Sequence, residues 1–238
     1  HTDLFGVQVA EVYSAEPVYD WRETPIGILS VSVRRWKDKI FLRATDLIFP
    51  ALGRFTAIED AEETTHFDRR GATMSWCVPV DDTSSITFNI LEIEEGLPAP
   101  DRDAFIDRQA HSGASYQIFE EGQDGSRSYV ERQNAPGDWD AWVSQGPISY
   151  RERDHLVSSD AGVVMFRKML RAGIRDVAQG RDPKGVFREL AGPLSTYGHS
   201  TVAVLEKGSS GVDDVARLEA FSKKAIDAVL SLSAVETI

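Results

Sequence analysis

Cysteine is almost missing: Cys77 is the only one in 238 residues. An intramolecular disulfide is therefore excluded, and a reducing, cytoplasmic setting is expected. Positive charge is scarce beside negative, with 26 Lys and Arg against 38 Asp and Glu, a net of −12. That balance disfavours unassisted binding to nucleic acid or to an anionic membrane. No uninterrupted apolar run approaches the length of a membrane span, and no signal peptide is visible. A phosphate-cradling Gly-Lys loop, a G-x-S-x-G elbow and a dinucleotide fingerprint with its acidic partner are all lacking. Any redox equivalents must then arrive from another protein. Internal repeats and long low-complexity linkers are also lacking, so residues 1–238 read as one domain.

What is present is an ordinary globular composition, 42% hydrophobic and 27% charged, organised around residues 132–160. Here Asp138 and Asp140 lie among the rings of Trp139 and Trp142. Rings of that size favour burial, and a carboxylate beside them is costly unless paired, protonated or bound to a cation. A helical reading puts Asp138, Trp142 and Gln145 on one face and Asp140 elsewhere. Asp138 also suits an N-cap after Pro136-Gly137, and the two roles are compatible. A GPI turn, Gly146-Pro147-Ile148, follows. Next come a charged connector at 151–155 and a helix start, with Ser158 or Ser159 as N-cap and Asp160 in the first turn.

The rest of the chain reads as strands first and long helices last. Residues 7–13 alternate like a strand, and 24–33 read as extended but partly irregular. Residues 34–39, RRWKDK, read as a polar tip. Two further strand-like runs, 40–44 and 47–58, are interrupted by Pro50 and Gly53. Residues 72–80 and 85–93 form a hairpin across the turn Asp81-Asp82-Thr83-Ser84, with Cys77 as a small core residue. Residues 101–111 suit a short helix. Val163, Phe166, Leu170, Ile174 and Val177 recur at helical spacing within 159–179, as a core stripe ended by Gly180. Residues 186–201 read as loop, with His199 solvated, as is His66 earlier. Residues 213–232 form a second amphipathic helix with Asp213 and Asp214 at its start.

Three stretches carry a family resemblance: Trp76-Cys77-Val78-Pro79-Val80-Asp81-Asp82; Asp103-Ala104-Phe105-Ile106-Asp107-Arg108; and Asp138 with Ser144-Gln145-Gly146-Pro147-Ile148 and the Ser158-Ser159-Asp160 helix start. Together they resemble the C-terminal catalytic domain of Rieske-type ring-hydroxylating oxygenase alpha subunits, most closely the phthalate-dioxygenase-like branch. Val143 departs from the Glu often found in that branch. The resemblance implies an α+β fold of helix-grip type, an antiparallel sheet with helices packed on one face. It implies oxygenation of an aromatic compound with O2, by dihydroxylation or by monooxygenation leading to demethylation. It also implies a mononuclear Fe(II) held by two His and one carboxylate.

Asp138 takes the carboxylate role, with Asp140 as competitor. His1 is either the second His ligand or an ordinary terminal residue. A Rieske [2Fe-2S] centre needs two Cys and two His, so with one cysteine it is expected upstream, together with the first His ligand. Electrons would come from a ferredoxin or flavoprotein reductase, and the assembly would be a homotrimer. Arg43 or Arg54 would clamp an aromatic carboxylate, with Trp142 lining the substrate site. The rival reading is a non-catalytic carrier of hydrophobic ligands with the same helix-grip shape.

Overall fold

The structure is a computed structural model that describes residues 12–56, 59–60, 73–91, 128–134, 145–189, 192, 194 and 196–235. Two compact units divide the chain. One comprises His1–Val78, Thr87–Glu92 and Leu156–Ile238; the other comprises Pro79–Ile86 and Ile93–His155.

The first unit is built on β1 (Val18–Glu23), β2 (Gly27–Trp36) and β3 (Lys39–Ile48), consecutive antiparallel neighbours. β2 and β3 are rich in Ile, Val and Leu, and nearly every residue of β2 is buried. Such runs mark central strands covered on both faces. Only Lys37 and Asp38 form the tip between them, with Lys37 at φ 57°.

Past Ile48 a cis Phe49-Pro50 bond lies in the turn to β4 (Leu52–Phe55), which pairs with residues 45–48 of β3. The other half of that edge, residues 39–44, pairs with β8 (His199–Val204). The sheet therefore forks at Ala44/Thr45. Beyond the fork the short β5 (Glu59–Asp60) pairs in parallel with β8. β6 (Thr73–Pro79) pairs with β4, and β7 (Ser85–Leu91) closes the path.

Strand alternation sorts the side chains onto two faces. On one face Leu29, Val31, Val33, Ile40, Leu42 and Ala44 pack with Leu218 and Ile226 of a C-terminal helix, Gly211–Val235. On the other face Ile28, Trp21 and Leu47 meet Phe49 and Met165, Phe166 and Met169 of the helix Ala161–Ala178. Gly162 permits that approach, since a Cβ there would lie 2.3 Å from the Trp21 ring. We number the described helices α1 (Tyr129–Asn134), α2 (Ala161–Ala178) and α3 (Gly211–Val235).

The α+β class with an antiparallel sheet thus holds, while the two long helices divide between the faces instead of sharing one. The hairpin at 72–93, the GPI turn and the stop at Gly180 (φ 71°) are also borne out. There the amides of Gly180 and Arg181 return to the carbonyls of Val177 and Asp176.

Several expectations change. Val12 and Tyr13 lie in a helical turn, not a strand. The supposed loop at 186–201 contains the start of β8, where His199 is half-buried. Cys77 is exposed. α2 buries Gly162, Met169 and Gly173, while Val163, Leu170, Ile174 and Val177 of the expected core stripe are exposed. The small residues allow the closest approach to the sheet, and closeness outweighed apolar periodicity. A 3-10 turn, Ser158–Asp160, precedes α2; Asp160, and neither serine, caps it by accepting the Val157 N–H at 2.9 Å.

In the second unit α1 opens with a capping box. Glu131 accepts the Ser128 N–H at 2.7 Å, and Ser128 Oγ accepts the Glu131 N–H at 3.3 Å. Gly146 takes φ 73° in the GPI turn, and a 3-10 turn, Arg151–Arg153, follows. The short helix expected at 101–111 lies outside the described residues, as does His66.

Candidate functional site

The expected iron ligands His1 and Asp138 lie outside the described residues, as do Asp140 and Trp142. Among the described residues no group of three His, Cys, Asp or Glu side chains is placed to hold a metal. The described candidates for binding are therefore Arg43 and Arg54, and the sheet register separates them. Arg54 stands across from Asp46 and Phe55 across from Thr45. Residues 43 and 45 share one face of β3, and residue 46 belongs to the other. Arg43 and Arg54 consequently serve opposite faces and cannot grip one ligand together.

Arg54 belongs to the fork. Asp46 is 1% exposed, and its Oδ2 accepts the Tyr197 N–H at 2.8 Å and the Gly198 N–H at 2.6 Å. This single carboxylate oxygen satisfies two amides just where β8 enters the sheet. Ser200 and Thr56 close the fork with a hydroxyl pair at 3.0 Å. Burial pushes the Asp46 carboxyl above its ordinary range, against the opposing pull of the two amides and Arg54. Its Oδ1 has no hydrogen-bond partner among the described residues. Arg54 is thereby explained as electrostatic support for a buried acid.

Arg43 is placed on the face opposite α3. It donates to the Tyr13 hydroxyl, and its guanidinium lies 5.2 Å from the Phe55 ring centroid. Ser32 is its cross-strand partner on β2. Arg34, two residues along β2 from Ser32, folds back over the same ground. It donates to Ser32 Oγ at 3.0 Å and to Tyr19 Oη at 3.4 Å, and lies 4.7 Å from the Tyr13 ring centroid. Beside it Tyr19 and Trp21 stack at 6.0 Å and 15°.

The sequence reading missed Arg34 because it assigned the residue to a polar tip. The alternation Ser30, Ser32, Arg34, Trp36 was the available signal, since it puts all four on one face of a strand. Asp46 was missed because a lone Asp between strand-like runs reads as a turn.

No protein-family model matches the chain. Relatives do. The tert-butanol monooxygenase / tert-amyl alcohol desaturase oxygenase subunit of Aquincola tertiaricarbonis is 34% identical over 191 residues, 79% of this chain and 38% of the relative. The chain belongs to the Rieske-type oxygenase subunits. The phenoxybenzoate dioxygenase subunit alpha of Ectopseudomonas oleovorans is 27% identical over 187 residues, 78% of this chain and 41% of that protein. The 5,5'-dehydrodivanillate O-demethylase oxygenase subunit of a Sphingobium species is 37% identical over 54 residues, 23% of this chain and 13% of the relative. The chain thus spans about two fifths of the length of the first two relatives it matches. Among the described residues no helix is long and apolar enough to cross a membrane.

Proposed function

We propose that this chain is the catalytic part of a Rieske-type non-heme iron oxygenase that hydroxylates an aromatic compound with O2. The outcome is dihydroxylation, or monooxygenation ending in demethylation. The observation that supports it is the match to oxygenase subunits over about four fifths of the chain. In this reading His1 and Asp138 are ligands of a mononuclear Fe(II), completed by a second imidazole, and Trp142 borders the substrate. Imidazole and carboxylate together suit Fe(II) and leave coordination positions open. The described residues contribute no ligand set, so no chemical step is assigned to any of them.

A chain with one cysteine cannot hold the Rieske [2Fe-2S] centre. Electrons reach the site from a cluster in another segment, reduced by a ferredoxin or flavoprotein reductase. A cytoplasmic homotrimer, in which a neighbour's cluster serves each iron, completes the proposal. Metal analysis of a chain extended upstream of His1 tests it. About one iron per chain beyond the cluster is expected. No such iron in a folded, cluster-loaded protein would leave the rival reading, a carrier of hydrophobic ligands.

A further inference from the structure

The aliphatic stripe of α2 faces outward. Ile174 and Val177 are 62% exposed, and Val163 and Leu170 are 38% and 39% exposed. At about 100° per residue these four share one sector about 60° wide, away from the buried Gly162, Met169 and Gly173. Cations fill the next sector: Arg167, Lys168, Arg171 and Arg175, against a single carboxylate on the helix, Asp176. Asp176 is already paired with Arg181. Lys168, Arg171 and Arg175 are exposed and have no ion-pair partner among the described residues. Arg167, Arg171 and Arg175 also stand at i, i+4 spacing, where like charges repel. α2 is thus a basic, apolar face on a chain of net charge −12.

We infer that this face docks a partner protein through an acidic amphipathic helix. Aliphatic side chains of the partner lie on the stripe, and its Asp or Glu side chains lie beside the arginines. Such a partner removes the stripe from water and neutralises the row of like charges in one contact. The stripe runs about 21 Å along the helix, long enough to seat about four turns of a partner helix. Two other occupants fit the charges less well. Copies of the chain meeting α2 to α2 about a two-fold axis bring both rows of cations to the same side of the contact. An anionic membrane attracts α2 but repels the acidic chain that carries it. The face uses no iron and no cluster, so it survives any failure of the oxygenase reading.

Fluorescence anisotropy of a labelled peptide titrated with the full chain tests the assignment. The probe is a synthetic helical peptide with Leu at i, i+4, i+7 and i+11 and Glu on the adjoining face; its control carries Lys in place of Glu. The Glu peptide should bind saturably at one site per chain, and the Lys peptide at least tenfold more weakly. Raising salt from about 0.05 M to about 0.5 M should weaken the Glu peptide strongly. The double variants Arg171→Glu/Arg175→Glu and Ile174→Ser/Val177→Ser should each weaken it at least tenfold, while Arg188→Gln, an exposed ion-pair residue elsewhere, should change nothing. All four altered positions on α2 are exposed, and circular dichroism checks each fold. Should a double variant fail to fold, the contrast between the two peptides on the unaltered chain decides alone. Equal binding of the two peptides would overturn the proposal, as would unchanged affinity in either folded double variant. Co-sedimentation with phosphatidylserine–phosphatidylcholine vesicles that Arg171→Glu/Arg175→Glu abolishes would give the face to a membrane and overturn it. Self-association in analytical sedimentation that Ile174→Ser/Val177→Ser abolishes would give the face to a second copy and overturn it too.

Discussion

Arg35 of β2 grips Asp214 of α3 with two parallel hydrogen bonds, Nε to Oδ2 at 3.1 Å and Nη2 to Oδ1 at 2.6 Å. The same guanidinium donates to the Leu205 carbonyl, and Asp214 Oδ1 also accepts the Gly208 N–H at 2.8 Å. One residue pair therefore ties the β2–β3 hairpin, the exit of β8 and the first turn of α3. A carboxylate in that first turn also complements the helix dipole.

The Arg35 hydrogen bonds, followed by the Gly208 amide, hold the Asp214 carboxyl below its ordinary range. A depressed pKa means stabilisation that is complete above about pH 4, the unfolded value, and is lost as pH falls through the folded value. Asp214→Asn should cost about 2 kcal/mol at pH 7, the worth of a charge-assisted bond. It should also flatten the loss of stability below about pH 4. Urea unfolding at pH 7 and pH 3 checks both; an equal acid-induced loss in the variant would place the titration elsewhere.

Asp46 runs the other way. Its carboxyl is raised, so the folded state holds the proton more tightly than the unfolded chain does. Its contribution to stability therefore falls as pH rises from about 4 through the raised value, and is level above it. Asp46→Asn keeps an acceptor for the Tyr197 and Gly198 amides and should remove that slope. Asp46→Ala leaves two half-buried amides without their acceptor and should cost about 1–3 kcal/mol. Urea midpoints at a series of pH values separate the variants.

The packing of the two helices predicts a contrast in size. Ile226 is fully buried against the sheet, and Ile226→Ala should cost about 2–5 kcal/mol through the cavity it leaves. Gly162→Ala adds one methyl, but it would drive a Cβ into the Trp21 ring at 2.3 Å. Overpacking of that kind should cost about 1–3 kcal/mol. Exposed Ile174→Ala, part of the stripe the sequence put in the core, should cost under about 1 kcal/mol. Thermal unfolding ranks the three.

That contrast shows what the sequence makes legible. The hairpin at 73–91 and the Gly180 stop were readable because turn chemistry is local: an Asp81 side chain accepts the Thr83 N–H at 2.8 Å, and glycine takes a left-handed φ. The face that α2 buries was not, because Gly162 and Gly173 carry no hydrophobic signal and matter only opposite Trp21 and Phe49. The pairing of Arg34 with Arg43 depends on β2–β3 register, and the fork at Asp46 on two strands sharing one edge. Both facts are non-local. The metal site was read from a family resemblance, in which residues 138–148 supply the carboxylate.

The iron assignment makes the last prediction. Fe(II) beside two neutral imidazoles needs one anionic oxygen ligand to balance charge while leaving room for oxygen. Asp138 fills that place in the resemblance, and Asp140 is the only other acid in 132–150. In a chain extended upstream of His1, Asp138→Ala should lose both mononuclear iron and product formation. The Rieske absorption should remain, because its ligands lie elsewhere. Asp140→Ala should retain iron. Iron content by elemental analysis, read against the visible spectrum of the cluster, tells loss of the ligand from loss of the fold. The reverse pattern would transfer the ligand role to Asp140, whereas retention of iron and activity by both variants would remove the carboxylate assignment from this segment altogether.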